Sequence, residues 1–167
     1  IRRALHHTLA LRFSRLVSHD AALLVANSEA GCRAQQSAGL RCRRFEVEPN
    51  GIDISHFKRD DCAGTEARQS WGFNPSHHIV GWIGRPAPVK GLELFVRAAA
   101  LVARRDTGAR FIIVGGHHAG KQLRYKLLAH DLGIEDKIVW ETAIEEVVPV
   151  YSGIDMLCLS SISEGFP

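Results

Sequence analysis

Residues 79–92 read I-V-G-W-I-G-R-P-A-P-V-K-G-L: a short apolar strand, an abrupt turn and the opening of a helix. The apolar run 79–83 has the length of a buried strand, and Gly84 breaks it. Pro86-Ala87-Pro88 then forces an extended turn, because proline fixes its own φ and restricts the residue before it. Gly91 and Leu92 start a helix over 92–102, with Leu92, Phe95, Val96, Ala99 and Val102 on one face. The alternation continues downstream. A strand at 111–114 is broken by Gly115-Gly116, and a helix over 121–132 is stopped by Gly133. A strand at 138–140, a short helix over 147–152 and a strand at 156–159 follow.

Upstream the same pattern is shorter. Residues 2–17 form a basic amphipathic helix with Leu5, Leu9, Phe13, Leu16 and Val17 at helical spacing. Residues 23–26 make a short apolar strand. Asn27 or Ser28 caps the next helix, with Glu29 in its first turn, and Gly39 ends it. Residues 45–47 are a strand, and Pro49-Asn50-Gly51 is a turn. Residues 54–77 are a polar crossover holding one short helix over 66–71. Short strands alternating with short helices predict an α/β protein with a doubly wound, parallel, Rossmann-like sheet. Such sheets bind ligands outside the carboxyl ends of their strands. The loops after residues 83, 114, 140 and 159 therefore line one edge.

The chain has 167 residues, 46% hydrophobic and 23% charged, ordinary proportions for a globular protein. No apolar run reaches the roughly 18 residues that suggest a membrane span. The chain starts at Ile1 and carries no signal-peptide pattern, so an upstream portion is expected. The net charge of +3 comes from arginines crowded at positions 2, 3, 12, 15, 33, 41, 43 and 44. No aromatic residues interleave with them, so nucleic acid is not an expected partner. Cys32, Cys42, Cys62 and Cys158 have no C-x-x-C spacing, which argues against a zinc knuckle or redox pair; a reducing compartment is the simpler setting.

The chemistry collects on the expected edge. Arg85 and Lys90 flank the rigid turn, and a helix start lies beside them. A guanidinium, an ammonium and a helix dipole suit the spread oxygens of a diphosphate. Taken alone, the same two cations also fit an ordinary solvated loop. A P-loop is excluded, because Val89 and Gly91 flank Lys90. The dinucleotide fingerprint fails too, because His117 stands where a glycine is needed, and nicotinamide chemistry loses its support. Gly115-Gly116 gives a turn that a ligand can approach closely. Glu164 follows the last strand, where a carboxylate can accept from two sugar hydroxyls.

In order, the chain carries N-G-I-D, G-R-x4-K-G, a strand ending V-G-G, L-G-I-x-D-K-I and S-S-I-S-E-G-F-P. This series resembles family 4 of the retaining glycosyltransferases, which have the two-domain GT-B fold. The resemblance runs from about Leu24 to Pro167. It implies that residues 1–57 are the tail of an N-terminal acceptor domain with its linker. Residues 58–167 are then an incomplete donor-binding domain. It further implies transfer of a sugar from a nucleoside-diphosphate sugar, UDP- or GDP-linked, with retention of configuration. Arg85 and Lys90 match the family's diphosphate contacts, and Gly84 and Gly115 match the glycines of the donor loops. Glu164 matches the first of two paired glutamates and engages the donor sugar. Gly165 and Phe166 match the backbone that holds sugar and phosphate. Arg85, Lys90 and Glu164 are thus the expected catalytic residues. No cofactor or metal is implied.

The departures bear on specificity. The family's second glutamate falls at about position 172, past Pro167. Thr142 stands where many members carry Gly, and Ser160 replaces a frequent Pro. With half of the cleft outside these residues, no turnover is expected from the chain by itself. The expected partners are a nucleotide-sugar donor and a sugar or lipid-linked acceptor, in polysaccharide biosynthesis. The expected setting is cytoplasmic, with peripheral contact at the inner face of the cytoplasmic membrane. The first helix has two open readings: packing on the acceptor domain, or lying on anionic lipid. A non-catalytic nucleotide-sugar-binding or interaction module on the same fold is the alternative function. An oxidoreductase or a GT-B epimerase or phosphorylase fits less well.

Overall fold

A computed structural model describes residues 2–116, 120 and 122–164, without the side chains of residues 2–8. The chain divides into two compact units, one running to Ile52 and including Glu164, the other spanning Asp53–Ser163. The first unit holds α1 (Arg2–Ser18), β1 (Leu24–Ala26), α2 (Glu29–Ser37) and β2 (Phe45–Val47). β1 and β2 pair in parallel, with Leu24 opposite Phe45 and Ala26 opposite Val47. Ser28 starts α2 by accepting a hydrogen bond from the Gly31 N–H at 3.0 Å. The Ser18 hydroxyl is buried at the end of α1, where it donates to the Arg15 carbonyl and accepts from the Arg41 N–H. Leu9, Phe13, Leu16 and Val17 of the expected α1 stripe are exposed.

The second unit contains α3 (Asp61–Ser70), β3 (His78–Ile83), α4 (Leu92–Arg105), β4 (Ala109–Val114), α5 (Leu123–Asp131), β5 (Ile138–Glu141), α6 (Val148–Gly153) and β6 (Met156–Leu157). Its four strands lie in the order β5-β4-β3-β6, and every neighbouring pair is parallel. Strand alternation sends Trp82, Phe111 and Ile113 to one face, where they meet Phe95, Val96, Ala99, Tyr125 and Ala129 of α4 and α5. Ile79, Ile112 and Val114 point to the other face, against Val150 and Ile154 at α6, with Phe73 following α3. Helices thus cover both faces, and the α/β class read from the alternation is the class observed. Each fully buried aliphatic or aromatic side chain here contributes about 1.5–3 kcal/mol.

Three details differ from the sequence pattern. α3 begins at Asp61 rather than at 66, because the Asp60 carboxylate caps it by accepting from the Ala63 N–H at 2.9 Å. Its contact with α6 runs through Gly64, where a Cβ would lie 2.6 Å from the Ser152 carbonyl oxygen. Small residues, not an apolar stripe, make that interface. In α4 the 3.6-residue period brings Ala100 and Ala103 inward and leaves Val102 42% exposed. β6 stops at Leu157, after which only Cys158 still donates to β3, at the Gly81 carbonyl.

At the amino edge of this sheet Asp155 ties three elements together. Its carboxylate accepts from the Ile79 N–H at 2.8 Å and from the Arg68 guanidinium at 2.6 Å. Partial burial alone would raise the Asp155 pKa, but these hydrogen bonds and the Arg68 charge outweigh it and hold the group below the ordinary carboxylate range. A depressed folded-state pKa stabilises fully above the unfolded value, about 4, and the stabilisation fades as pH falls through the folded value. Asp155→Asn is therefore expected to destabilise the protein by about 1 kcal/mol at neutral pH, a modest figure for a half-exposed pair. Urea unfolding at stepped pH checks this: the gap between wild type and variant should shrink below about pH 4.

Candidate functional site

β3 leads to β4 and β5 on one side of itself, while β6 returns to pair on the other side. The chain therefore reverses its winding between β3 and β6. Sheets of this kind bind ligands at such switch points, outside the carboxyl ends of the strands. The loop after β3 carries Gly84, Arg85 and Lys90; the segment after β6 leads to Glu164.

The first loop is fixed by its own geometry. Gly84 N–H donates to the Val114 carbonyl at 2.9 Å, which extends the β3–β4 ladder by one residue. Ala87 is extended, and Pro88–Lys90 form one turn of 3-10 helix. Gly91 ends that turn with a left-handed backbone, φ 64°, and α4 starts immediately after it. No side chain caps the α4 N-terminus. Arg85 is exposed, and its guanidinium has no hydrogen-bond or ion-pair partner among the described residues. Lys90 is half-buried.

Two glycines make the close packing of this edge possible. A Cβ on Gly115, at φ 138°, would stand 1.9 Å from the Gly84 carbonyl oxygen. A Cβ on Gly91 would stand 1.9 Å from the Ser160 carbonyl oxygen. Backbone thus lies directly on backbone at both places, and any side chain would force the loops apart.

Two polar side chains hold the edge: Gln122, which the sequence did not single out, and Ser160, which it marked only as standing in place of a frequent Pro. The Gln122 amide is buried and donates to the Gly115 carbonyl at 2.7 Å and the Glu141 carbonyl at 3.0 Å. Glu141 in turn accepts from the Gly115 N–H, so the ends of β4 and β5 are stitched together. Ser160 bridges the switch point: its hydroxyl accepts from the Trp82 indole N–H at 3.1 Å and donates to the Gly91 carbonyl at 2.9 Å. The sequence held one hint. A buried tryptophan needs a partner for its N–H, and Trp82 lies in the middle of an apolar strand.

Gly84, Arg85, Lys90 and Gly115 accordingly come together at one edge of the second unit. Glu164 is half-buried and belongs to the first unit. Gly165 and Phe166 lie outside the described residues. Among the described residues, no group of His, Cys, Asp and Glu side chains could hold a metal ion, and no helix is long and apolar enough to cross a membrane.

A parallel, doubly wound sheet with a switch in strand order is a Rossmann-like architecture. The family follows from comparison: residues 64–167 match the glycosyl transferases group 1 family, and the chain belongs to it. It is 35% identical over 155 residues to the D-inositol 3-phosphate glycosyltransferase of Nocardia farcinica, covering 88% of this chain and 34% of that protein. It is 31% identical over 151 residues to the protein of the same name from Rhodococcus erythropolis, covering 86% of this chain and 34% of that one. The chain thus spans about a third of the length of these curated relatives. Among solved structures, Anabaena Alr3699/HepE in complex with UDP-glucose superposes with a TM-score of 0.79 at 26% identity, over 92% of this chain and 42% of that one. Sucrose-phosphate synthase from Thermosynechococcus elongatus shares the fold at a TM-score of 0.79 and 19% identity, over 94% of this chain and 39% of that one.

Gly115→Ala and Gly91→Ala are each expected to destabilise the second unit by about 3 kcal/mol, combining left-handed strain with overpacking. The urea midpoint of each variant measures it; a loss under about 1 kcal/mol would show that the loops relax around a methyl group.

Proposed function

We propose that this chain contributes the nucleotide-sugar site of a glycosyltransferase. The carrying observation is the 84–91 loop, which brings Arg85 and Lys90 to the carboxyl edge of the sheet, in a chain 26% identical to a protein that binds UDP-glucose. In this reading the two cations meet the diphosphate of a UDP- or GDP-linked sugar. The bond between the anomeric carbon and the phosphate oxygen breaks, and a bond forms to an acceptor hydroxyl on the same face of the sugar. The hydroxyl proton leaves with the diphosphate. Negative charge grows on the leaving group as that bond stretches, so Arg85 and Lys90 stabilise the transition state more than the ground state. Glu164 and the N–H groups of Gly165 and Phe166 hold the transferred sugar.

Retention of configuration, and with it membership of family 4, is the finer part of the proposal. The acceptor is a hydroxyl on a sugar, a lipid-linked sugar or, following the name of the relatives, an inositol phosphate. Assembly of a glycan at the cytoplasmic side of a membrane is the proposed setting.

Calorimetric titration of the purified chain with UDP and GDP tests the donor site. The Arg85→Ala, Lys90→Ala double variant is expected to lose about 100-fold in affinity, the loss of two charge-assisted contacts. Equal binding by the double variant, with both proteins folded by circular dichroism, would sink the assignment.

A further inference from the structure

The loop that carries Lys90 does not hold its shape alone. Its 3-10 turn is closed by short-range hydrogen bonds, Lys90 N–H to the Ala87 carbonyl and Gly91 N–H to the Pro88 carbonyl, and Phe95 N–H of α4 donates to the Gly91 carbonyl. The segment after β6 adds further bonds. Ile162 N–H donates to the Val89 carbonyl at 2.8 Å. The Ser160 hydroxyl proton is shared between the Gly91 carbonyl at 2.9 Å and the Lys90 carbonyl at 3.3 Å. The same oxygen accepts from Trp82 Nε1, whose ring is buried in the sheet core. One hydroxyl therefore connects the rigid core of β3 to the backbone of the residue that bears the cation.

We propose that Ser160 is a positioning residue: through Trp82 and the Lys90 and Gly91 carbonyls it fixes the backbone that presents Lys90 at the carboxyl edge. The role rests on the donor-site reading above. Alanine cannot bridge the indole N–H and the two carbonyls, and proline, frequent at this place in the resembling family, cannot either. With the hydroxyl removed, the indole N–H loses its acceptor and the Lys90 and Gly91 carbonyls lose the bond that ties them to β3. The backbone that bears Lys90 is then held less closely to the core of β3, and the entropy of ordering it is added to each binding event.

The test is a double-mutant cycle on UDP affinity, with Ser160→Ala and Lys90→Ala made singly and together in the full 167-residue chain. Ser160→Ala is expected to weaken UDP about fivefold while Lys90 is present, and by less than about twofold once Lys90 is alanine. Ser160→Thr keeps the hydroxyl and should restore binding to within about twofold of wild type. Hydrogen exchange at the Lys90 and Gly91 amides gives a ligand-free readout, faster in Ser160→Ala and unchanged in Ser160→Thr. Wild-type affinity in a folded Ser160→Ala, or the same loss with and without Lys90, overturns the positioning role. The donor reading survives that result if Arg85→Ala, Lys90→Ala still abolishes binding. A folded wild-type chain that takes up no UDP overturns both.

Discussion

Six residues of β3 pair in unbroken parallel register with six of β4, from His78 opposite Ala109 to Ile83 opposite Val114. Every loop at the carboxyl edge takes its position from that ladder. Because the register runs to the last residue of each strand, both chains leave the sheet at the same level, and Gly84 meets Gly115 backbone to backbone. A side chain at Gly115 would separate them. The edge is therefore built largely of polypeptide, and in the proposed donor site an anionic ligand would meet fixed peptide dipoles as well as the Arg85 and Lys90 charges. A surface of this kind loses little entropy on binding, since few of its parts need ordering.

Around the ladder, buried polar side chains act as cross-ties. Gln122 joins the ends of β4 and β5, and Ser160 joins β3 to the 88–91 turn. Asp155 does the corresponding work at the amino edge, between β3, α3 and the start of β6. None of these groups is a core hydrophobe, and none belongs to the regular ladder. They divide the labour with the core: Phe95, Phe111 and Ile113 hold the layers together, while Gln122 and Ser160 settle where the strand exits go.

Local sequence carries the strands and most of the helices, because their signals are local. Apolar runs such as Phe111–Val114 and breakers such as Gly133 act within a few residues of themselves. The cationic pair Arg85 and Lys90 was legible for the same reason, since prolines between them fix the turn that presents both. α3 was only half visible: its start depends on the Asp60 cap, and its packing on the missing side chain of Gly64, neither of which makes an apolar period. Ser160 and Trp82 were invisible as a pair because 78 positions separate them, and only the switch in strand order makes them neighbours. Gln122 gave no signal at all: a glutamine beside a helix start reads as solvated until the strand ends it serves are in place.

The brevity of β6 has a consequence of its own. Among the described residues this strand pairs with β3 alone, with Met156 and Leu157 exposed. An apolar edge invites strand addition from another chain, and natural proteins blunt such edges by keeping them short. Here the chain veers off after Leu157 and heads for the 88–91 turn, so an incoming strand finds little backbone to pair with. The bend that brings Ser160 to the Lys90 loop thereby also discourages edge-to-edge aggregation. A change that straightened it would trade an ordered loop for a sticky strand.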